Sequence, residues 1–307
     1  MISRLVLARA VLPLACAAFS APAFAAPQSK PSYSAEISAG IAADSDVGLV
    51  ELDQTTREGD IASVLGLKLD GELKPASKLT LRGGYELSDT RYQDFEAFNL
   101  QTHRLSAEAE YAFSATTAGV MYNYVDARLD GDGYLTFQQA SPYVTHLFNK
   151  GFLLRGAYVR TDRDFDTAPD RNSTSDEIQV DGFFLVDGTK QYFVIGGKGG
   201  QTNADDEVFS YDNTGLKGRY VQRTDFAGRE VKLRLGGDVE IRDYVANAPG
   251  LTVPREDETT AATAGMQVQL AGPLSVDFSY EYRQRDSNVA AADFDENLGT
   301  VQLKLNF

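Results

Sequence analysis

The chain has 307 residues, with 44 acidic against 29 basic side chains and a formal net charge of −15. This acidic excess argues against nucleic acid as a partner, because phosphate binding needs a basic stripe. A single cysteine, Cys16, excludes a disulfide framework, and charge interleaved with regular apolar alternation excludes intrinsic disorder.

At the start, Arg4 and Arg9 flank an apolar run over 5–18, and Ala23-Phe24-Ala25 fits a small-x-small cleavage pattern. This predicts a secretory signal peptide over 1–25 and a mature chain over 26–307. A lipoprotein signal at Cys16 is the competing reading, although Pro13-Leu14-Ala15 lacks the aliphatic residue expected three positions upstream. No later stretch approaches the roughly 20 apolar residues of a membrane-spanning helix, so any crossing would be made by strands.

From Tyr33 onward a period of two dominates, with no sustained helical spacing. The first strand carries Tyr33, Ala35, Ile37, Ala39 and Ile41, and a polar loop over 44–58 follows. The return strand carries Ile61, Leu65, Leu67, Leu69 and Leu73 to a tight turn at 74–77. Leu79, Leu81, Tyr85 and Leu87 then rise to a loop over 88–97, and Leu105 to Phe113 return to a turn at 114–116. Val120, Tyr122 and Tyr124 precede the loop Asp130-Gly131-Asp132-Gly133, and a sixth strand from Leu135 to Leu147 turns at 149–151.

The second half repeats the scheme. A strand over 152–160 leads to a long loop over 161–175, then Ile178 to Val186 reach a turn at 187–189. The strand over 192–200 rises to Asp205, Asp206 and Glu207, and Leu216, Gly218 and Tyr220 descend to a turn near 225–229. Val231 to Ile241, a loop over 242–257, Ala262 to Leu270, a turn at 271–273, Leu274 to Tyr282 and a loop over 286–295 complete the series. In the last strand Val301, Leu303, Leu305 and Phe307 alternate with polar residues up to the terminal aromatic, a pattern read as a membrane-insertion signal.

The count is about 14 strands with long connections at one end and short turns at the other. It predicts an all-β, closed antiparallel transmembrane barrel with both termini on the short-turn, periplasmic side. The reason is a single constraint: in hydrocarbon every backbone N–H and C=O needs a partner within the protein, so the sheet has to close. Aromatics near strand ends fit two interfacial girdles, with Tyr111, Phe113, Phe148, Phe152 and Tyr192 near the turns and Tyr85, Tyr158, Tyr244 and Tyr282 near the loops.

With the apolar face outward, the opposite face is polar. It presents Arg82 and Glu86; Arg104, Glu108 and Glu110; Lys217 and Arg219; Arg234, Asp238 and Glu240; and Asp277, Glu281 and Arg283 as expected lumen-lining residues. At mid-depth toward lipid a Lys or Arg would cost about 2–4 kcal/mol. Interleaved signs argue against a strongly selective filter, and at this strand number long side chains leave either a narrow pore or a network that plugs it.

Other motifs carry weaker chemistry. Asp162, Asp164 and Asp166 have calcium-loop spacing, but Thr167 and Ser173 stand where glycine and glutamate are needed. Gly196-Gly197-Lys198-Gly199-Gly200 has no following helix to make a phosphate site. His103 falls on the lipid side by register and His146 near the turns, neither beside a nucleophile at the loop end, so no enzyme, cofactor or metal site is expected.

The segments Asp286-Ser287-Asn288-Val289 and Asp293-Phe294-Asp295-Glu296-Asn297, with terminal Phe307 and the strand count, resemble the carboxy-terminal barrel of surface lipoprotein assembly modifiers. Those modifiers carry a helical-repeat periplasmic domain ahead of the barrel; here only Pro27 to Ser32 precede the first strand, and no functional residue is carried over. The expectation is a porin-like channel or transport barrel of a Gram-negative outer membrane, passing small polar solutes or a partner's cargo. Its expected partners are outer-membrane lipids, lipopolysaccharide and the barrel assembly machinery. A surface scaffold using acidic loops and a lipoprotein-translocation barrel are the alternatives.

Overall fold

The computed structural model describes residues 30–247, 250 and 252–307. The predicted signal peptide over 1–25, with Cys16, lies outside the described residues. The first wall strand is β1 (Ser32–Asp44), and the segment after it folds into two short strands, β2 (Gly48–Leu49) and β3 (Gln54–Thr55). Next come β4 (Asp60–Ala76), β5 (Leu79–Tyr92), β6 (Leu100–Phe113), β7 (Thr116–Leu129), β8 (Asp132–Asn149) and β9 (Phe152–Phe165). The wall continues with β10 (Ser173–Asp187), β11 (Gln191–Ala204), β12 (Tyr211–Phe226), β13 (Arg229–Tyr244), β14 (Glu256–Ala271), β15 (Leu274–Ser287) and β16 (Phe294–Asn306).

All of these except β2 and β3 join one closed antiparallel barrel of fourteen strands, each paired with its sequence neighbour, and β1 pairs with β16 to close it. At the seam Ile37, Ala39 and Ile41 face Leu305, Leu303 and Val301, and Phe307 exchanges backbone hydrogen bonds with Ala35. Closure leaves no open sheet edge, which is what a strand-built membrane wall requires.

The turns at one end are two or three residues long, whereas the other end carries 45–59, 93–99, 166–172, 205–210, 245–255 and 288–293. One connection at that loop end departs from the expectation. Asp130 and Gly131 alone join β7 to β8, both at positive φ (47° and 89°), as the mirror-image hairpin turn that suits strand twist requires. The wall strands are also longer than read from sequence. Asp162 and Asp164 belong to β9, so the calcium-like spacing lies mostly in a strand and not in a loop.

The pleat sorts the side chains. Leu65, Leu69, Leu105, Ile178, Ile195, Leu216, Leu235 and Leu303 share the outer face and are exposed there, Leu216 at 71%. At the turn end an aromatic belt runs round that face, with ring centroids 4.7 Å apart for Tyr111–Phe113, 5.4 Å for Phe148–Phe152, 5.0 Å for Phe152–Phe184 and 4.8 Å for Phe193–Tyr220. This is the girdle arrangement of a bilayer wall. Two residues assigned to the girdles sit elsewhere: Tyr192 is opposite buried Val221 on the inner face, and Tyr244 points inward, with its hydroxyl 3.4 Å from Asp257. Phe193, one position on, takes the outer place.

Candidate functional site

The buried apolar cluster lies at the loop end, and residues 45–59 build it. The sequence pattern predicts a polar loop here, yet Val47 and Leu49 are wholly buried and Leu52 nearly so. They pack with Ala42, Ala62, Tyr92, Phe98, Leu100, Ala127, Leu129, Tyr134, Leu135 and Phe165, which come from β1, from β4 through β9 and, for Phe98, from the connection between β5 and β6. The segment therefore folds into the mouth of the barrel instead of standing above it. Its neck is tied by Asp46, which accepts hydrogen bonds from the Thr55 hydroxyl and from the Arg57 amide at 2.8 Å.

The other side of the segment is held by charge. Asp53, in a left-handed turn (φ 53°), accepts hydrogen bonds at 2.8 Å from Arg171 Nη2, from Arg255 Nη1 and Nη2 and from Arg285 Nη1. Arg171 also donates to the Glu51 carbonyl at 2.7 Å. Arg255 is held in turn by Asp257 at 2.6 and 2.8 Å. The arginines lie over the rings of Phe209, Tyr244 and Phe294 at 4.1, 4.7 and 5.1 Å. Burial alone would raise the Asp53 carboxyl, but the Arg255 hydrogen bonds and the charges of Arg255, Arg171 and Arg285 outweigh it and hold the group well below the usual carboxylate range. Arg255 is likewise held above its ordinary range: burial disfavours its charge, and the hydrogen bonds it donates to Asp53 and Asp257 more than offset that.

Arg171 stands between β9 and β10, Arg255 immediately before β14 and Arg285 in β15. Their convergence on one carboxylate fixes the enclosed side of the wall, because only the inside of a cylinder brings these sectors together. Carrying the face of Arg285 round the wall by strand register places all thirteen expected lumen-lining residues on the same face. Val301, Leu303, Leu305 and Phe307 take the other.

Contacts divide these residues into separate groups. Arg82 donates to Glu72 at 2.8 Å and to Glu108 at 2.9 Å, with Glu110 at 3.6 Å. Tyr143, under Arg155 at 3.7 Å, donates to Glu108 and Glu110 at 2.5 and 3.1 Å. Tyr143 reaches past β7 because Gly119 lies in between; a Cβ there would stand 2.6 Å from the phenol oxygen. Arg104 pairs with Glu86 at 3.7 Å. Arg234 similarly passes Gly265 of β14 to grip Asp277 of β15 at 2.7 and 2.9 Å, and a Cβ on Gly265 would stand 2.8 Å from its guanidinium.

Lys217 pairs with Asp181 at 2.8 Å, Glu240 with Lys198 at 2.6 Å and Arg242 at 2.7 Å, and Arg283 with Glu281 at 2.5 Å. Among the described residues Asp238 and Arg219 make no ion pair. The two histidines are on the outer face: His103 meets Tyr85 and Gln101, and His146 meets Thr116 at 2.8 Å beside Phe148.

The sequence reading did not single out the mouth cluster as a unit. Arg171 and Arg255 lie in connections with no motif around them, and Asp53 lies within the expected polar loop over 44–58. One signal was present: Val47, Leu49, Val50 and Leu52 make the nominally polar loop rich in aliphatics.

No family model and no curated protein matches the chain. Solved structures do. The trimer form of OmpT, an outer membrane protein of Vibrio cholerae, aligns at TM-score 0.56 and 10% identity over 91% of this chain and 99% of that one. The outer membrane channel DcaP of Acinetobacter baumannii aligns at TM-score 0.53 and 9% identity, covering 91% and 97%. An anion-selective porin from Comamonas acidovorans aligns at TM-score 0.51 and 10% identity, covering 91% and 100%. At such identity the likeness is one of architecture: this chain has the closed-barrel fold of bacterial outer-membrane proteins, channels and porins among them.

Proposed function

We propose that the chain sits in the outer membrane of a Gram-negative bacterium, termini toward the periplasm, as a porin-like channel for small polar solutes or a partner's cargo, narrowed at its mouth by residues 45–59. One observation carries this reading: inner-face charges deep in the wall are open to water. The side chains of Lys68 and Asp70 are 47% and 48% exposed, and those of Lys217 and Glu86 both 40%. A packed interior would have buried them. Both histidines face outward, away from the lumen, and the channel and the porin among the similar structures fit a non-enzymatic role. Lipopolysaccharide and outer-membrane lipids meet the aliphatic face, and the Val301–Phe307 stretch is the segment offered to the barrel assembly machinery.

The purified chain, reconstituted into planar bilayers, is expected to give discrete conductance steps that grow when 45–59 is deleted. Silence in both forms, with unchanged solute uptake by cells lacking the protein, contradicts the proposal. A second reading, a surface scaffold, is favoured by the exposed Asp205, Asp206 and Glu207 on the 205–210 connection; deleting that connection would then abolish partner capture without altering conductance. Lipoprotein translocation rests on the short 286–297 resemblance and predicts loss of a surface lipoprotein on deletion of the protein.

A further inference from the structure

Pairing on the inner face is uneven. Carboxylates outnumber bases in this chain, and Arg82, Lys198, Lys217 and Arg234 each reach one. Arg219, Arg223 and Lys232 make no ion pair among the described residues; Arg223 and Lys232 are cross-strand neighbours, and Arg219 stands four residues before Arg223 on the same face of β12. Register sets Arg223 directly opposite Lys232, Arg219 opposite Gly236 and Arg234 opposite Val221, all on one face of β12 and β13. Like charges placed directly opposite destabilise a strand pair. Arg223, Arg234 and Lys304 act on Lys232 as like charges, and Asp277, which opposes them, is already gripped by Arg234 at 2.7 Å. Asp225 and Glu230, one rung nearer the exposed turn, form no ion pair with any of them.

The position of this patch gives it a use. The mouth segment takes its packing partners from β1 and β4 through β9, and its ionic partners from the β9–β10 connection, the residue preceding β14 and β15. The wall from β11 to β13 thus borders the passage that the channel reading requires, and three uncompensated cations stand on it.

We propose that Arg219, Arg223 and Lys232 form a subsite for a small oxyanion, a phosphate or a carboxylate-bearing solute, on the lumen wall near the turn end. The inference rests on the channel reading and deepens it by naming the solute class. Guanidinium forks present paired donors that match two oxygens of such an anion, and the ammonium adds a third charge.

The test uses the full mature chain in detergent micelles, titrated at low ionic strength with inorganic phosphate and separately with succinate. Phosphorus line broadening and calorimetry read binding. At least one anion is expected to bind the wild type, and Arg223→Gln with Lys232→Gln should weaken it at least about tenfold. Arg163→Gln, which removes an inner-face cation that donates to Ser175 at 2.7 Å and lies over the Phe137 ring, should not. Which anion binds identifies the class. Without anion the double variant should unfold at a higher denaturant concentration than wild type, because repulsion between facing cations is relieved, so a variant that merely misfolds is recognised.

No binding by wild type, or equal binding by the double variant, overturns the subsite. Conductance that persists with phosphate affinity unchanged in the double variant removes the subsite and leaves the channel. Selective loss of binding with silent bilayers keeps the subsite and removes the channel.

Discussion

Asp53 and Arg285 are 232 positions apart in sequence and 2.8 Å apart at the barrel mouth. This contact, with those of Arg171 and Arg255 to the same carboxylate, turns a surface connection into a strap across the opening. The Arg285 and Asp257 side chains are almost fully buried, so neither can recruit water if its partner is lost.

Asp53→Asn should therefore detach the strap. Removing one partner of a buried ion pair costs about 3–5 kcal/mol, and here three guanidiniums lose their shared counter-charge. Hydrogen exchange at 47–55 is expected to rise steeply while exchange in β4 to β16 stays slow, and channel conductance should increase. Unchanged protection at 47–55 would show that the apolar contacts alone hold the segment.

The same carboxylate sets a pH window. Asp53 is depressed below its ordinary value of 3.8, so its contribution is complete above that pH and is lost as pH falls through the depressed folded value. The strap is expected to stay closed between pH 5 and 8, roughly, and to open only in stronger acid. Conductance followed from neutral to acidic solution checks this, and opening near pH 6 would assign the latch to another group.

The apolar half makes a separate contribution. Leu49→Ala removes a wholly buried side chain and should cost about 2–5 kcal/mol through lost burial and the cavity left behind. The cost falls on the strap and not on the wall. Proteolysis within 45–59 should accelerate while the intact barrel retains its resistance to detergent.

Within the wall, Gly265→Val is expected to block the path by which Arg234 reaches Asp277, because a Cβ there would already stand 2.8 Å from the guanidinium. Separating the pair leaves Asp277 nearly buried without its cation, a loss of about 3 kcal/mol measurable by urea unfolding in vesicles. Gly299→Val, where a Cβ meets nothing within 4 Å, is the control.

The wall was legible in the sequence because its rule is local. Leu65, Leu67 and Leu69 alternate with Gly66, Lys68 and Asp70, and a period of two states both faces at once. The same rule explains the misplaced aromatics. Tyr192 and Phe193 are adjacent, and choosing the wrong member of the doublet moves an aromatic from one face to the other. The strand over 152–160 stops short because Asp162 reads as a loop residue, whereas in the structure it belongs to β9 and stands 4.0 Å from Arg160 on the outer face. The strap was hidden for the opposite reason: its partners stand 118, 202 and 232 positions away, and no periodicity reports such contacts.

The most direct test of the account uses the absence of cysteine after Cys16. Single cysteines placed from 232 to 239 along β13, such as Leu235→Cys and Asp238→Cys, can be labelled with an environment-sensitive fluorophore in reconstituted vesicles. Labels at 233, 235 and 239 should be quenched by brominated lipid, and labels at 232, 234 and 238 by aqueous iodide. Quenching by the same agent at consecutive positions would contradict a barrel with lipid on one face and water on the other.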